Sequence, residues 1–107
     1  MKEISKILIE LSESIKKYPK ASKAVGITIR TVDKDSKFCA VKLEVEIEKI
    51  LYKLSCTRIE HSSGRIENNN AHVYKFTDKG HILIYQDDSI NSDSYTEIFD
   101  NLLEIIS

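Results

Sequence analysis

Residues 39–48 alternate without a break. Cys39, Val41, Leu43, Val45 and Ile47 interleave with Ala40, Lys42, Glu44, Glu46 and Glu48, and the apolar set resumes through Ile50, Tyr52, Leu54 and Cys56. A period of two sends one set to each face of an extended chain. A helix could gather Leu43, Ile47, Ile50, Leu51 and Leu54 into a stripe, but unbroken alternation in a β-branched segment favours strands. Folding the chain at Glu48-Lys49 pairs Ile47 with Ile50, Val45 with Tyr52, Leu43 with Leu54 and Val41 with Cys56 on one face. The other face then pairs Glu44 with Lys53, and a slip of one residue scrambles both. The turn has neither Gly nor Asn, so a wider four-residue loop is expected rather than a tight primed turn.

That hairpin makes a sharp demand at Arg58, which falls opposite Cys39 on the apolar face. A guanidinium cannot be buried unpaired at tolerable cost. The strand is therefore expected to end or bulge near Thr57, failing which Arg58 must meet a carboxylate at the rim.

The flanking segments extend the pattern. Residues 4–18 carry Ile4, Ile7, Leu8, Leu11, Ile15 and Tyr18 at helical spacing, with Pro19 as the stop. Residues 27–32 read as a strand that the DKDS segment (33–36) turns back, and only an odd-length loop there sets Ile29 beside Cys39 and Ile27 beside Val41. The stretch HSSGRIENNN (61–70) is polar and turn-rich, and is expected to form a long mobile connection. HVYKFT and HILIYQ flank Asp78-Lys79-Gly80, a three-residue loop with a bulge that pairs Phe76 with Ile82 and Tyr74 with Ile84. After the polar loop 86–93, Ser94 and Glu97 form a capping box. It opens a helix with apolar Tyr95, Ile98, Phe99, Leu102, Leu103, Ile105 and Ile106.

The expected fold is therefore α+β in two layers: a largely antiparallel five-stranded sheet with the N- and C-terminal helices packed on one face. Residues 1–107 read as one domain, since Gly (3) and Pro (1) are too scarce for a linker. In this register Phe38, Leu51, Ile59, Val73, Leu83 and Tyr85 point away from the helices. So large an apolar set implies a partner, a second copy of the chain being one candidate.

Functional classes are mostly excluded. No secretory signal pattern opens the chain and no apolar run nears the ~20 residues of a membrane span, so a soluble, cytoplasmic protein without a membrane partner is expected. Cys39 and Cys56 lack C-x-x-C spacing and read as reduced, buried thiols. His61, His72 and His81 have no metal or catalytic motif around them, and His72 and His81 fall near opposite ends of one hairpin. The oxygen-bearing side chains at 87, 89, 91 and 93 resemble half a calcium loop, but Ser92 and Ile98 stand where that loop needs Gly and Glu. No metal or cofactor is expected. Net charge is −1 and no ring platform is apparent on the sheet, so nucleic acid is not expected as a partner.

One asymmetry remains. Beyond Lys79 there is no Lys or Arg, while Asp87, Asp88, Asp93, Glu97, Asp100 and Glu104 are acidic. Helix capping accounts for Asp93 and Glu97 alone. The expected function is a protein-binding module, of the kind represented by an inhibitor or an antitoxin-like immunity protein, that neutralises a basic enzyme such as a nuclease toxin. Asp87, Asp88, Asp93, Glu97 and Asp100, with Leu83 and Tyr85, form its expected partner surface. The alternatives are a small histidine-dependent hydrolase or nuclease and a secretion-type chaperone, and an enzyme is the less favoured class.

Overall fold

The computed structural model describes residues 2–17 and 22–107. The elements run α1 (Ile4–Ile15), β1 (Ser22–Asp33), β2 (Ser36–Ile47), β3 (Ile50–His61), β4 (Ile66–Thr77), β5 (Gly80–Asp87) and α2 (Tyr95–Ile106). The strands form one antiparallel sheet in the order β1-β2-β3-β4-β5, and the fold is the expected α+β arrangement. The expected helix stop at Tyr18-Pro19 lies outside the described residues.

The central hairpin takes the register its alternation demands: Ile47 opposite Ile50, Val45 opposite Tyr52, Leu43 opposite Leu54 and Glu44 opposite Lys53. Its turn corrects the expected wide loop. Glu48 (φ 51°) and Lys49 (φ 67°) both adopt positive φ, so two ordinary residues make a tight primed turn. The register leaves no slack for a longer loop, and the twist of a primed turn matches that of the strands. Left-handed backbone at two residues with side chains costs about 1 kcal/mol or more each. Ile29 opposite Cys39 and Ile27 opposite Val41 also appear as expected.

Val41, Leu43, Val45, Leu54, Cys56, Ala71 and Val73 present one face of the sheet to Ile7 and Leu11 of α1 and to Tyr95, Ile98, Phe99, Leu102, Leu103 and Ile106 of α2. The helices also lock to each other. Ser14 Oγ donates to the Thr96 carbonyl and Thr96 Oγ1 to that of Glu10, both at 2.9 Å. The broad α1 stripe is only partly used, for Ile4 and Leu8 remain 50% and 45% exposed.

Two expectations fail around β4. First, Ile66–Asn70 is strand, paired with β3 from Glu60 to Thr57, so only residues 62–65 connect the two strands. A register shift between Thr57 and Ile59 accommodates the extra residue, and Asn68 takes φ 53° there. Asn tolerates that conformation better than most residues. Second, the β4–β5 turn is tighter than expected, with Thr77 opposite Gly80, so Phe76 meets His81 and Tyr74 meets Leu83. A bulge at Ile84 then sets Val73 opposite Tyr85. Val73 is fully buried and Tyr85 packs on the core, so neither points away from the helices as expected. The sequence offered two apolar sets in β4. Compact Ala71 and Val73 go under the helices, and the larger Tyr74 and Phe76 go to the opposite face.

Candidate functional site

The acidic segment between β5 and α2 has no helix or strand over residues 88–94, yet its backbone is anchored from two sides. From β4, Asn69 (8% exposed) donates through Nδ2 to the carbonyls of Ile90 (3.1 Å) and Ser92 (2.8 Å). The backbone N–H of Ile90 donates in turn to the Asn69 carbonyl at 3.1 Å. From β3, Arg58 Nη2 donates to the Asp93 carbonyl at 3.0 Å, and Lys2 Nζ donates to the same oxygen. These bonds satisfy backbone groups that a loop ordinarily leaves to water.

Arg58 resolves the demand made on it by combining both expected routes. The bulge lies beside it, and it meets a carboxylate, but inside the protein rather than at the rim. Its side chain is fully buried, Nε donates to Glu60 Oε2 at 3.2 Å, and Cζ lies 4.0 Å from the centre of the Tyr95 ring. Arg58 and Glu60 sit two apart on one strand and so share a face. Glu60 also accepts from the Lys2 backbone N–H at 3.0 Å and from Tyr95 Oη at 3.3 Å. Burial alone pushes the Glu60 carboxyl up. The Lys2 N–H, together with the charge and hydrogen bond of Arg58, outweighs it, so the group is held below its ordinary range. Arg58 Nη1 has no hydrogen-bond partner among the described residues. Stacking on Tyr95 is the compensation that the guanidinium finds there.

The acidic residues have different surroundings. Asp87 and Glu97 line a cleft of about 250 Å³ between the loop and α2, with Ser89, Asn91, Ser92 and Asn101 around it. Asp88 is exposed and accepts from Gln86 Nε2 at 2.8 and 2.9 Å. Asp93 lines a separate pocket with Lys2, Lys6 and Arg58. Asp100 pairs with Lys17 at 2.6 Å, so its charge is spent within the fold. Half of the capping box forms: Ser94 Oγ accepts from the Glu97 N–H at 3.2 Å, while the Glu97 carboxylate takes the Ser92 hydroxyl at 2.9 Å. Leu83 is 43% exposed on the face opposite the helices, whereas Tyr85 packs on the core beside the cleft.

The histidines divide between two places. His61 Nε2 lies 2.5 Å from Glu67 Oε1, an oxygen that Arg65 also reaches at 2.8 Å. His72 and His81 both meet the Tyr74 ring, at 6.2 and 5.1 Å between centroids, and Phe76 meets His81 at 5.8 Å. His72 and His81 stay near opposite ends of the hairpin, as expected, but Tyr74 between them makes a small ring cluster that was not expected. The one-residue change of register at the β4–β5 turn brings these rings together. No group of three or more His, Cys, Asp or Glu able to hold a metal occurs among the described residues. Cys39 and Cys56 are buried free thiols, both pushed up to about 11 chiefly by burial.

Asn69, Glu60 and Lys2 are the site residues that sequence reasoning missed. Asn69 carried no signal, being one of three consecutive asparagines in a polar run. Glu60 could have been found, because the hairpin parity that buries Arg58 also places its i+2 neighbour on the same face. No protein-family model matches this chain, and neither a curated protein nor a solved structure does. No helix among the described residues is long and apolar enough to cross a membrane.

Proposed function

We propose that this chain is a protein-binding module of the inhibitor or immunity type, which covers a basic enzyme such as a nuclease toxin with its β5–α2 loop. Asp87, Asp88 and Glu97 carry the recognition. Asp93 fixes the end of the loop through its backbone, and Tyr85 supports the cleft beside it.

The observation that carries this reading is the double anchoring of an acidic, irregular segment by buried side chains. Burying Asn69 and Arg58 is costly unless their hydrogen bonds are made. Here several of those bonds go to loop carbonyls. A loop fixed before encounter loses less conformational freedom on docking, so more of its contact energy appears as affinity. Acidic groups unopposed by lysine or arginine in the same stretch steer a basic partner and raise its association rate.

The test is affinity capture from the native host, with the wild-type chain and the Asp87→Lys/Asp88→Lys variant as parallel baits. A basic protein retained by the first and lost by the second supports the reading. An acidic partner, or equal capture by both baits, removes it.

A further inference from the structure

The two edges of the sheet differ in a way that points to a second interaction surface. β5 has the devices that blunt an edge: it is short, and the Ile84 bulge interrupts its ladder. β1 has none of them through its middle. It runs 12 residues, Ser22–Asp33, pairs with β2 without interruption from Ser22 to Thr31, and contains no proline. Its outer backbone has no strand partner among the described residues.

The face of β1 turned toward the helices is also incompletely covered. Val25 is 41% exposed, Ile27 and Ile29 are half-buried at the margin of the core, and Ile4 of α1 stands open beside Ile29. Ile4 and Ile29 line a broad groove of about 660 Å³ between α1 and the sheet edge. An exposed, regular, apolar edge strand beside an apolar groove is a surface that other strands join.

We infer that β1 pairs antiparallel with β1 of a second copy, about a two-fold axis at Ile27, to make one continuous ten-stranded sheet. The occupant is argued from self-complementarity. The regular segment Lys23–Thr31 is centred on Ile27, so this register uses all of it. Ile27 meets its own mate, Val25 meets Ile29 on either side, and the apolar face of one copy continues into that of the other. On the opposite face Gly26 meets Thr28 and Ala24 meets Arg30. Lys23 falls opposite Thr31, so no like charges are brought together. An isologous contact of this kind closes on itself, and two copies complete it.

The paired segment Lys23–Thr31 spans roughly 30 Å at about 3.3 Å per residue. This surface lies at the opposite edge of the sheet from the loop proposed to bind a partner, so the two can be tested separately.

The experiment is light scattering after size exclusion, from about 1 μM to about 1 mM, with oxidative cross-linking of two cysteine variants. Twice the 12.3 kDa chain mass is expected for the wild type. Val25→Lys, at an exposed site, should shift the dimer to at least ten-fold higher concentration while circular dichroism stays unchanged. Ile27→Cys should cross-link rapidly, because the two copies of that position face each other. Val25→Cys should not, because its own mate sits four residues along the partner strand. The buried native thiols keep the background low. A 12.3 kDa species at every concentration overturns the inference. So does a dimer that tolerates Val25→Lys and falls apart on Leu83→Lys, and so does equal cross-linking at positions 25 and 27. Should Val25→Lys unfold the chain, the contrast between Ile27→Cys and Val25→Cys decides alone.

Discussion

Two polar segments of similar appearance meet different fates. Residues 61–70 and 86–94 are both rich in Ser and Asn, and neither has an apolar period. The first becomes β4 from Ile66 onward, its backbone groups paired with β3. The second stays irregular, and several of its backbone groups are paired with the Asn69 and Arg58 side chains instead. A polar composition therefore does not decide whether a segment is mobile. The destination of its backbone hydrogen bonds does. The two segments are also linked, because the strand formed by the first delivers the asparagine that clamps the second.

The largest test of this contrast is Arg58. Replacing it with Ala removes a bond to the loop and strands the Glu60 carboxylate in the interior. A loss of roughly 3–5 kcal/mol is expected on chemical denaturation, the range for breaking one side of a buried pair. Glu60→Gln gives the matching acid-side test. Glu60 is held below its ordinary value in the folded chain. Its contribution is thus complete above the unfolded carboxyl pKa of about 4.3, and it fades as the pH falls through the lower folded value. The variant should lack that part of the acid-induced loss of stability. An unchanged slope of stability against pH would mean that the pair is energetically idle.

Asn69→Ala comes next, at about 1–3 kcal/mol, since it leaves the Ile90 and Ser92 carbonyls without their buried donor. The damage should be local, with the exchange protection of β2 and β3 largely retained. A global loss of cooperativity would mean that Asn69 belongs to the core rather than to the loop.

The sequence carried the core half of this contrast and little of the clamp. Alternation placed the central hairpin to the residue, because any slip would expose Leu43 and Leu54 together. Arg58 announced itself as a conflict between parity and charge, and the conflict marked the site. In β4, by contrast, Val73 and Tyr74 both suited a buried face, and a polar connection gave no parity to choose between them. The face assignments of Val73 and Tyr85 failed there. Asn69 was invisible for a related reason: an asparagine that pins a loop is defined by what lies across from it in space.

The Glu48-Lys49 turn is a third kind of connection, fixed by register alone. Replacing it with Asn-Gly should stabilise the chain by about 1 kcal/mol, because both positions have positive φ. An unaltered denaturation midpoint would show that the turn relaxes without cost. The smallest effect belongs to the acidic side chains themselves. Asp88→Lys should alter stability by no more than about 0–1 kcal/mol, as for any exposed charge, and Asp87→Lys by little more, since Asp87 is half-buried and accepts from the Ser89 N–H at 3.0 Å. A larger change would make these acids part of the fold rather than its surface.

Hydrogen exchange across Ser89–Ser94, in the wild type and in Asn69→Ala, tests the anchoring of the acidic loop most directly. In the wild type the Ile90 amide, which donates to the Asn69 carbonyl at 3.1 Å, should exchange far more slowly than an amide in an open loop. In Asn69→Ala that protection should fall by at least ten-fold while the β2 and β3 amides keep theirs. If Ile90 already exchanges in the wild type at the rate of an unstructured peptide, the loop is not held and the account of this site fails.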